Sequence, residues 1–285
     1  MNVLVTGGNG QLAKCIRDID SKLEGYNFIY KDASELNILN EDLIKSCFLK
    51  YNFKYLINCA AYTAVDKAES DADNAHKINT QGSENLAKIC SAFNTTLIHI
   101  STDFVFNGDS KAPYKEEDKT NPIGVYGASK LNGEQRIKEI LDQYFIIRTS
   151  WLYSEHGENF LKTMLRLSKD HNELGVVGDQ IGSPTYAKDL AAVILKIIEK
   201  NNTDYGLYHY SNLGVISWFD FASEIFSQSH IIIKLNNIKT EQYPTPAERP
   251  NYSVLDASKI SKALDIEIPN WKDSLSKALS NLTTN

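Results

Sequence analysis

Apolar and polar positions give the two halves of this chain different textures. Asn2–Thr6 is a short apolar run ending in glycines, the pattern of a strand buried on both faces. A helix is expected from Gln11 to about Asp20, then a strand over Asn27–Lys31, a helix over Glu41–Tyr51 and a strand over Tyr55–Asn58. A long helix from about Asp73 to Phe93 precedes a strand at Thr96–Ile100. A further helix from Tyr126 to about Leu141 leads into a strand at Tyr144–Arg148. Strands alternating with helices predict βαβ units and a doubly wound parallel sheet, an α/β fold.

Beyond Trp151 the alternation weakens. Helices are expected at Asn159–Leu167, Lys188–Glu199 and Trp218–Phe226, with two short ones near Ala257–Leu264 and Trp271–Ser280. Closely spaced prolines make Pro244–Pro250 a rigid loop. The expected division is a sheet domain of residues 1–150 with about 186–212, and a smaller α/β substrate domain of about 151–185 with 213–285.

The 285 residues suffice for one large or two modest domains with a sizeable core. A formal net charge of −6 argues against general attraction to nucleic acid or anionic membranes. No apolar run approaches the ~18 residues that span a bilayer, and the first residues run directly into a strand and loop, so a cytoplasmic protein is expected. Cys15, Cys47, Cys59 and Cys90 form no CxxC pattern and the six histidines are dispersed, which predicts reduced cysteines and no metal site. Lys115–Asp118 reads as a solvated acidic loop.

Chemistry concentrates where predicted strands end. Thr6-Gly7-Gly8-Asn9-Gly10-Gln11-Leu12-Ala13 follows the first strand and opens the first helix. Gly7 permits a tight turn, Gly10 lets backbone approach a diphosphate, and the helix N-terminus offers unpaired N–H groups. Together these predict a Rossmann nucleotide site. Lys31 and Asp32 end the second strand, where a carboxylate suits the ribose of NADH and a cation the 2′-phosphate of NADPH. Both cofactors stay open, with solvated surface charge as the plainer reading. In Asn58–Thr63, small Ala60 and Ala61 leave room for a cofactor, while Tyr62 and Thr63 offer polar edges; core packing is the alternative.

Thr102 and Asp103 follow the fourth predicted strand, placed to hold a carbonyl oxygen and a sugar hydroxyl, or simply to cap a turn. Tyr126 and Lys130 share one helix face at a spacing of four, so phenol and ammonium can act on one site, the lysine lowering the phenol's pKa. The pair alone also fits an amphipathic surface helix; its place after a nucleotide loop and Thr102 gives it chemistry.

TGGNGQLA, NCAAYTAVDKAE, STDFVF and YGASKLNGE occur in the order found in the extended short-chain dehydrogenases/reductases. Within that superfamily the chain resembles the dTDP-4-dehydrorhamnose reductases. The likeness continues through Arg148–Tyr153, Asn159–Met164, Gly182–Thr185, Gly206–His209 and the loop Tyr243–Pro250. The resemblance implies Tyr126 as catalytic acid, Lys130 as its electrostatic partner and ribose ligand, and Thr102 as the third hydroxyl. It implies Gly10, Gln11 and Leu12 at the cofactor diphosphate, Asn37 and Ile38 near adenine, and Ala61, Tyr62 and Thr63 further along the cofactor. Thr102, Asp103 and Trp151 would meet the sugar, and Arg249 the dTDP diphosphate.

Some members hold magnesium at a dimer interface. The corresponding positions here are Cys15 and Lys188–Leu190, where only Asp189 is acidic. Hard cations need several oxygen ligands, so no metal is expected, and either a monomer or a homodimer fits. The implied reaction is NADPH- or NADH-dependent reduction of dTDP-4-dehydro-L-rhamnose, the last step of dTDP-L-rhamnose synthesis. The alternatives are a dTDP-4-keto-6-deoxyhexose reductase of other stereochemistry and a non-catalytic nucleotide-binding subunit.

Overall fold

The computed structural model describes residues 1–283. In chain order, β1 (Asn2–Thr6), α1 (Gln11–Arg17), β2 (Asn27–Lys31), α2 (Glu41–Tyr51) and β3 (Phe53–Asn58) are followed by α3 (Val65–Ala68). Next come α4 (Ala72–His76), a π turn (Lys77–Gln81), α5 (Gly82–Ala92), β4 (Thr96–Thr102), α6 (Val125–Ile140) and β5 (Tyr144–Thr149). The second half contains β6 (Leu152–Tyr153), α7 (Phe160–Asp170), β7 (Glu173–Val177), β8 (Ile181–Gly182), β9 (Thr185–Tyr186), α8 (Ala187–Glu199) and β10 (Gly206–His209). It ends with β11 (Ile216–Ser217), α9 (Trp218–Gln228), β12 (Lys234–Ile238), α10 (Ser258–Leu264) and α11 (Trp271–Thr283).

The main sheet has the order β10-β5-β4-β3-β1-β2, and its paired strands are all parallel. Successive strand residues alternate between its faces. Val3, Val5, Ile57 and Ile147 pack with α1, α8 and α10, whereas Leu4, Leu56, Leu97 and Ile146 pack with α2, α5 and α6. Strand order reverses between β1 and β3, and it is at such a switch point, outside the carboxyl ends of the strands, that open α/β sheets take their ligands.

A second core gathers Tyr153, Leu161, Met164, Tyr186, Phe221, Ile225, Phe226, Trp271 and Leu275 from α7, α9, α11 and the short strands. Its β7–β12 parallel pair supplies strands that the sequence pattern beyond Trp151 did not place. Asn236 and Asn237 disfavour a strand locally, and pairing with Gly175 and Val176 overrides them.

Two further expectations are corrected. The long helix over Asp73–Phe93 is interrupted by the π turn at Lys77–Gln81. Glu116 is half-buried rather than solvated, because it accepts the His209 N–H at 2.9 Å and burial pushes its carboxyl up. Among the described residues, no helix is long and apolar enough to cross a membrane. All four cysteines are free.

Candidate active site

The glycine loop after β1 is built by close backbone approach. Gly7 has φ +64°, and a Cβ there would lie 2.8 Å from Cys59 O and Ala60 N, so only glycine lets the turn after β1 meet the loop after β3. Gly10 N donates to Gly7 O at 2.8 Å and serves as N-cap of α1 without a side-chain cap. The first N–H groups of α1 therefore have no capping oxygen and fit a phosphate. Leu12 is buried in the core, which restricts its contribution to its backbone N–H. Gln11 ties the loop to the second half of the chain, donating to Leu152 O at 3.2 Å and accepting from Asn159 Nδ2 at 2.7 Å.

At the end of β2, both charges have local partners. Asp32 accepts from Asn9 Nδ2, Ser34 N, Ser34 Oγ and Glu35 N, and the Ser34 hydroxyl holds its carboxyl below the usual range. Lys31 pairs with Glu35 at 2.8 Å. Arg17, which the sequence reading passed over, lies 4.3 Å above the Tyr30 ring and donates to Gly8 O. Asn37 is exposed and accepts Leu39 N at 3.0 Å, whereas Ile38 packs inward.

After β3, partly exposed Ala61 and Tyr62 and exposed Thr63 line the next loop. Asn79 holds it from the π turn: its Oδ1 accepts Tyr62 N at 2.9 Å, and its Nδ2 donates to Tyr62 O at 3.0 Å and Ser129 Oγ at 2.9 Å. The π turn aims this buried amide between the loop and α6, a recurrent use of such turns at functional sites.

Thr102 ends β4, and Tyr126 and Lys130 lie in the first half of α6. Three contacts set that helix. Glu69 Oε1 accepts Val125 N at 2.9 Å, placing a carboxylate at the helix N-terminus, where the dipole favours it. Thr80 Oγ1 donates to Ser129 O at 3.0 Å. Further along, Glu134 forms a buried pair with Arg148 of β5.

Lys130 is 2% exposed, and its Nζ donates to Ile100 O at 2.5 Å. Burial draws its ammonium down to about 8, with Glu134 opposing. Tyr126 moves the other way, as burial pushes the phenol up to about 12 and hydrogen bonding with Thr102 partly offsets this. Thr102 is the contact that lowers the phenol here, while Lys130 Nζ is turned onto Ile100 O and His99.

The Asp103 carboxyl is 2% exposed, and burial raises it to about 6. Its Oδ1 accepts from Thr102 Oγ1 at 3.0 Å. Its Oδ2 is buried without a hydrogen-bond partner among the described residues, although the Ser253 hydroxyl stands close enough to draw the carboxyl partly down. A ligand hydroxyl would satisfy that oxygen.

Trp151 leaves β5 with φ 47°, a strained conformation for an aromatic residue. Its indole stacks on Trp218 at 3.6 Å and rests on Gly182, where a Cβ would come within 2.5 Å of the ring. Arg249 pairs with Asp66 of α3 at 2.8 Å and donates to Ala247 O, so the proline loop is clasped beside α3, which packs on α6.

The positions considered for a cation are otherwise engaged. Burial pushes the Cys15 thiol up to about 12, and Asp189 accepts from Asn212 Nδ2 and Ser274 Oγ. Nearby Asp18, Glu155 and His156 converge, but Lys188 Nζ stands among them, 3.5 Å from Asp18 and 3.2 Å from Glu155.

Sequence reasoning missed Asn58, His99, Glu69, Asn79, Glu134 and Arg148. A visible signal existed for His99 and Arg148, polar residues inside apolar strand runs that require buried partners. Glu134 follows Lys130 by one helical turn.

The family model described as the RmlD substrate binding domain matches residues 1–284. A dTDP-4-dehydrorhamnose reductase of Aggregatibacter actinomycetemcomitans is 40% identical over 283 residues, covering 96% of each chain. A crystal structure of a dTDP-4-dehydrorhamnose reductase from Clostridium acetobutylicum has a TM-score of 0.95 and 42% identity, covering 99% of this chain and 100% of the other. One from Bacillus anthracis, in complex with NADP, has a TM-score of 0.95 and 40% identity, covering 98% and 99%.

Proposed function

This chain belongs to the RmlD substrate binding domain family, and from that premise we propose that it reduces the C4 ketone of dTDP-4-dehydro-β-L-rhamnose to give dTDP-β-L-rhamnose. The observation that carries this reading is the gathering of Thr102, Tyr126 and Lys130 at the carboxyl end of β4. NADPH or NADH supplies the hydride when bound. The uncapped start of α1 and the Gly7 turn fit its diphosphate.

Tyr126, with its phenol raised to about 12, is protonated at neutral pH and is therefore a proton donor. An alkoxide developing at C4 is a far stronger base and takes that proton. Thr102 holds the same oxygen by hydrogen bonding. Lys130 would orient the cofactor ribose and, while protonated, balance the charge of the spent phenol. Asp103 Oδ2 accepts a sugar hydroxyl, Trp151 walls the sugar, and Arg249 meets the dTDP diphosphate.

In this reading residues 1–150 with about 186–212 bind the dinucleotide, and the remainder binds the nucleotide sugar. A cytoplasmic setting suits four unpaired cysteines. The step requires neither a metal nor more than a monomer or homodimer.

The test is oxidation of NADPH and NADH by the purified chain with dTDP-4-dehydro-L-rhamnose, followed by NMR of the product. Substrate-dependent oxidation yielding dTDP-L-rhamnose is expected. A product epimeric at C4 would reassign the stereochemistry, and failure with both cofactors would overturn the reading.

A further inference from the structure

Behind Lys130 lies a buried chain of polar groups that the proposed chemistry does not use. Thr6 Oγ1 donates to Asn58 Oδ1 at 2.7 Å, and Ala60 N donates to the same oxygen at 3.2 Å. Asn58 Nδ2 lies 3.0 Å from His99 Nδ1, and His99 Nε2 lies 3.4 Å from Lys130 Nζ. Thr6, Asn58 and His99 are each at most 1% exposed, so bulk water does not compete for these partners.

The directions along this chain can be deduced. A backbone N–H can only donate, so Ala60 fixes which end of the Asn58 amide is oxygen. The other end is then the NH₂, which donates to His99 Nδ1. A neutral imidazole that accepts at Nδ1 carries its proton on Nε2. That N–H faces the Lys130 nitrogen. An ammonium has only donors and would meet it donor to donor. A neutral amine instead accepts from Nε2–H with its lone pair while still donating to Ile100 O.

We infer that His99 is a positioning residue for Lys130, locked by Asn58 as the Nε2–H tautomer so that it holds the lysine nitrogen in place and favours the amine over the ammonium. The directions in which burial moves both groups agree, since His99 is held well below its ordinary value and Lys130 is also drawn down. The other titratable groups around Lys130 are few. Glu134, on its own helix, favours the ammonium; Cys59, after β3, is pushed up to about 12 and stays neutral; Tyr126 lies one turn back. Arg148 of β5 is engaged by Glu134. His99 thus opposes Glu134 across the lysine, leaving Lys130 able to change protonation state at working pH.

The inference rests on Lys130 being the catalytic lysine, but its first test does not. In the full chain labelled with ¹⁵N-histidine, long-range ¹H–¹⁵N spectra report each ring's tautomer. His99 and His209 should both remain neutral as the pH is lowered through 6, His209 as the Nδ1–H tautomer that donates to Tyr114 O and His99 with the opposite tautomer. The His99→Gln spectrum assigns the signal. Two Nδ1–H tautomers, or an imidazolium at His99, would overturn the inference.

The second test is the pH dependence of kcat. In His99→Gln the amide can turn its oxygen to Lys130, and the ionisation of the lysine should move up by about one unit, tenfold in proton affinity. An unmoved ionisation would remove the coupling. Should that variant not fold, Asn58→Asp serves instead: it accepts from Nδ1–H, reverses the tautomer in the NMR spectrum and moves the ionisation in the same direction. If the tautomer is as inferred but Lys130→Met retains full activity, the catalytic reading fails and the His99 assignment stands.

Discussion

Glu134 accepts from Arg148 Nε at 2.9 Å and from Nη2 at 2.7 Å, and the two side chains are 0% and 2% exposed. Ser101 Oγ adds a third bond to Oε1 at 2.5 Å. Ser101 and Arg148 are register partners on β4 and β5, so one carboxylate fastens α6 to both strands a turn beyond Lys130. Removing one member of a buried pair strands the other's charge, at about 3–5 kcal/mol. Glu134→Gln should therefore lose about that much in urea unfolding and lower kcat by loosening α6. Glu134→Leu combined with Arg148→Met should recover most of the stability. A single-variant loss below about 1 kcal/mol would mean that Arg148 finds another partner.

Tyr126→Phe removes the proposed proton donor while keeping the ring that lies edge-on to Phe104 at 5.6 Å. General acid catalysis typically contributes ~10²–10⁴-fold. The expected result is a fall of that order in kcat with KM changed little, read from steady-state NADPH oxidation. A near-wild-type rate would transfer the acid role elsewhere.

Asp103 couples pH to stability. Its folded carboxyl titrates at about 6, above the ~3.9 of an unfolded chain. At pH 7 it is ionised in both states, and the folded state bears the cost of burial. As the pH falls through 6 the folded state takes up the proton first, and below about 4 the difference vanishes. Asp103→Asn should thus be more stable than wild type by about 1–3 kcal/mol at pH 7, with the gain shrinking below pH 6, while kcat/KM falls. Chemical denaturation at several pH values checks the first part and sugar-nucleotide kinetics the second.

Gly7→Ala forces a methyl group to within 2.8 Å of the Cys59 carbonyl, at a φ that disfavours side chains. Affinity for the reduced dinucleotide should weaken about tenfold or more, equal to at least ~1.4 kcal/mol. Quenching or enhancement of NADPH fluorescence on titration measures it. Unchanged affinity would separate this turn from the cofactor.

Five of the six strands of the parallel sheet were legible because they are apolar runs of near-uniform length, each followed by small or polar residues and a helix-length segment; β10 was not, since Gly206–His209 is a short run with a glycine and a histidine at its ends. Tyr126 and Lys130 were legible because helical spacing alone puts them on one face. The π turn was not: Lys77–Gln81 contains no helix breaker, and the turn is bound up with Asn79 bonding Tyr62 and Ser129. Nor was β12, whose strand character comes from its partner rather than from its two asparagines. His99 was visible as a polar residue in an apolar strand, but its meaning depends on Asn58, Ala60 and Lys130, which lie on other elements. Sequence periodicity reports faces and ends. It does not report which buried donor meets which acceptor.

The chain has three tryptophans, and two of them, Trp151 and Trp218, lie ring on ring at 3.6 Å and 10°. Two indoles that close share their electronic transitions, so the pair is a built-in optical gauge with an exciton couplet in its circular dichroism. If Trp151 walls the sugar as proposed, a sugar nucleotide bound there should disturb the stack and change that couplet. Occupancy of the proposed sugar site would thereby acquire a spectroscopic signal of its own, readable with no reduced nicotinamide present and before any turnover.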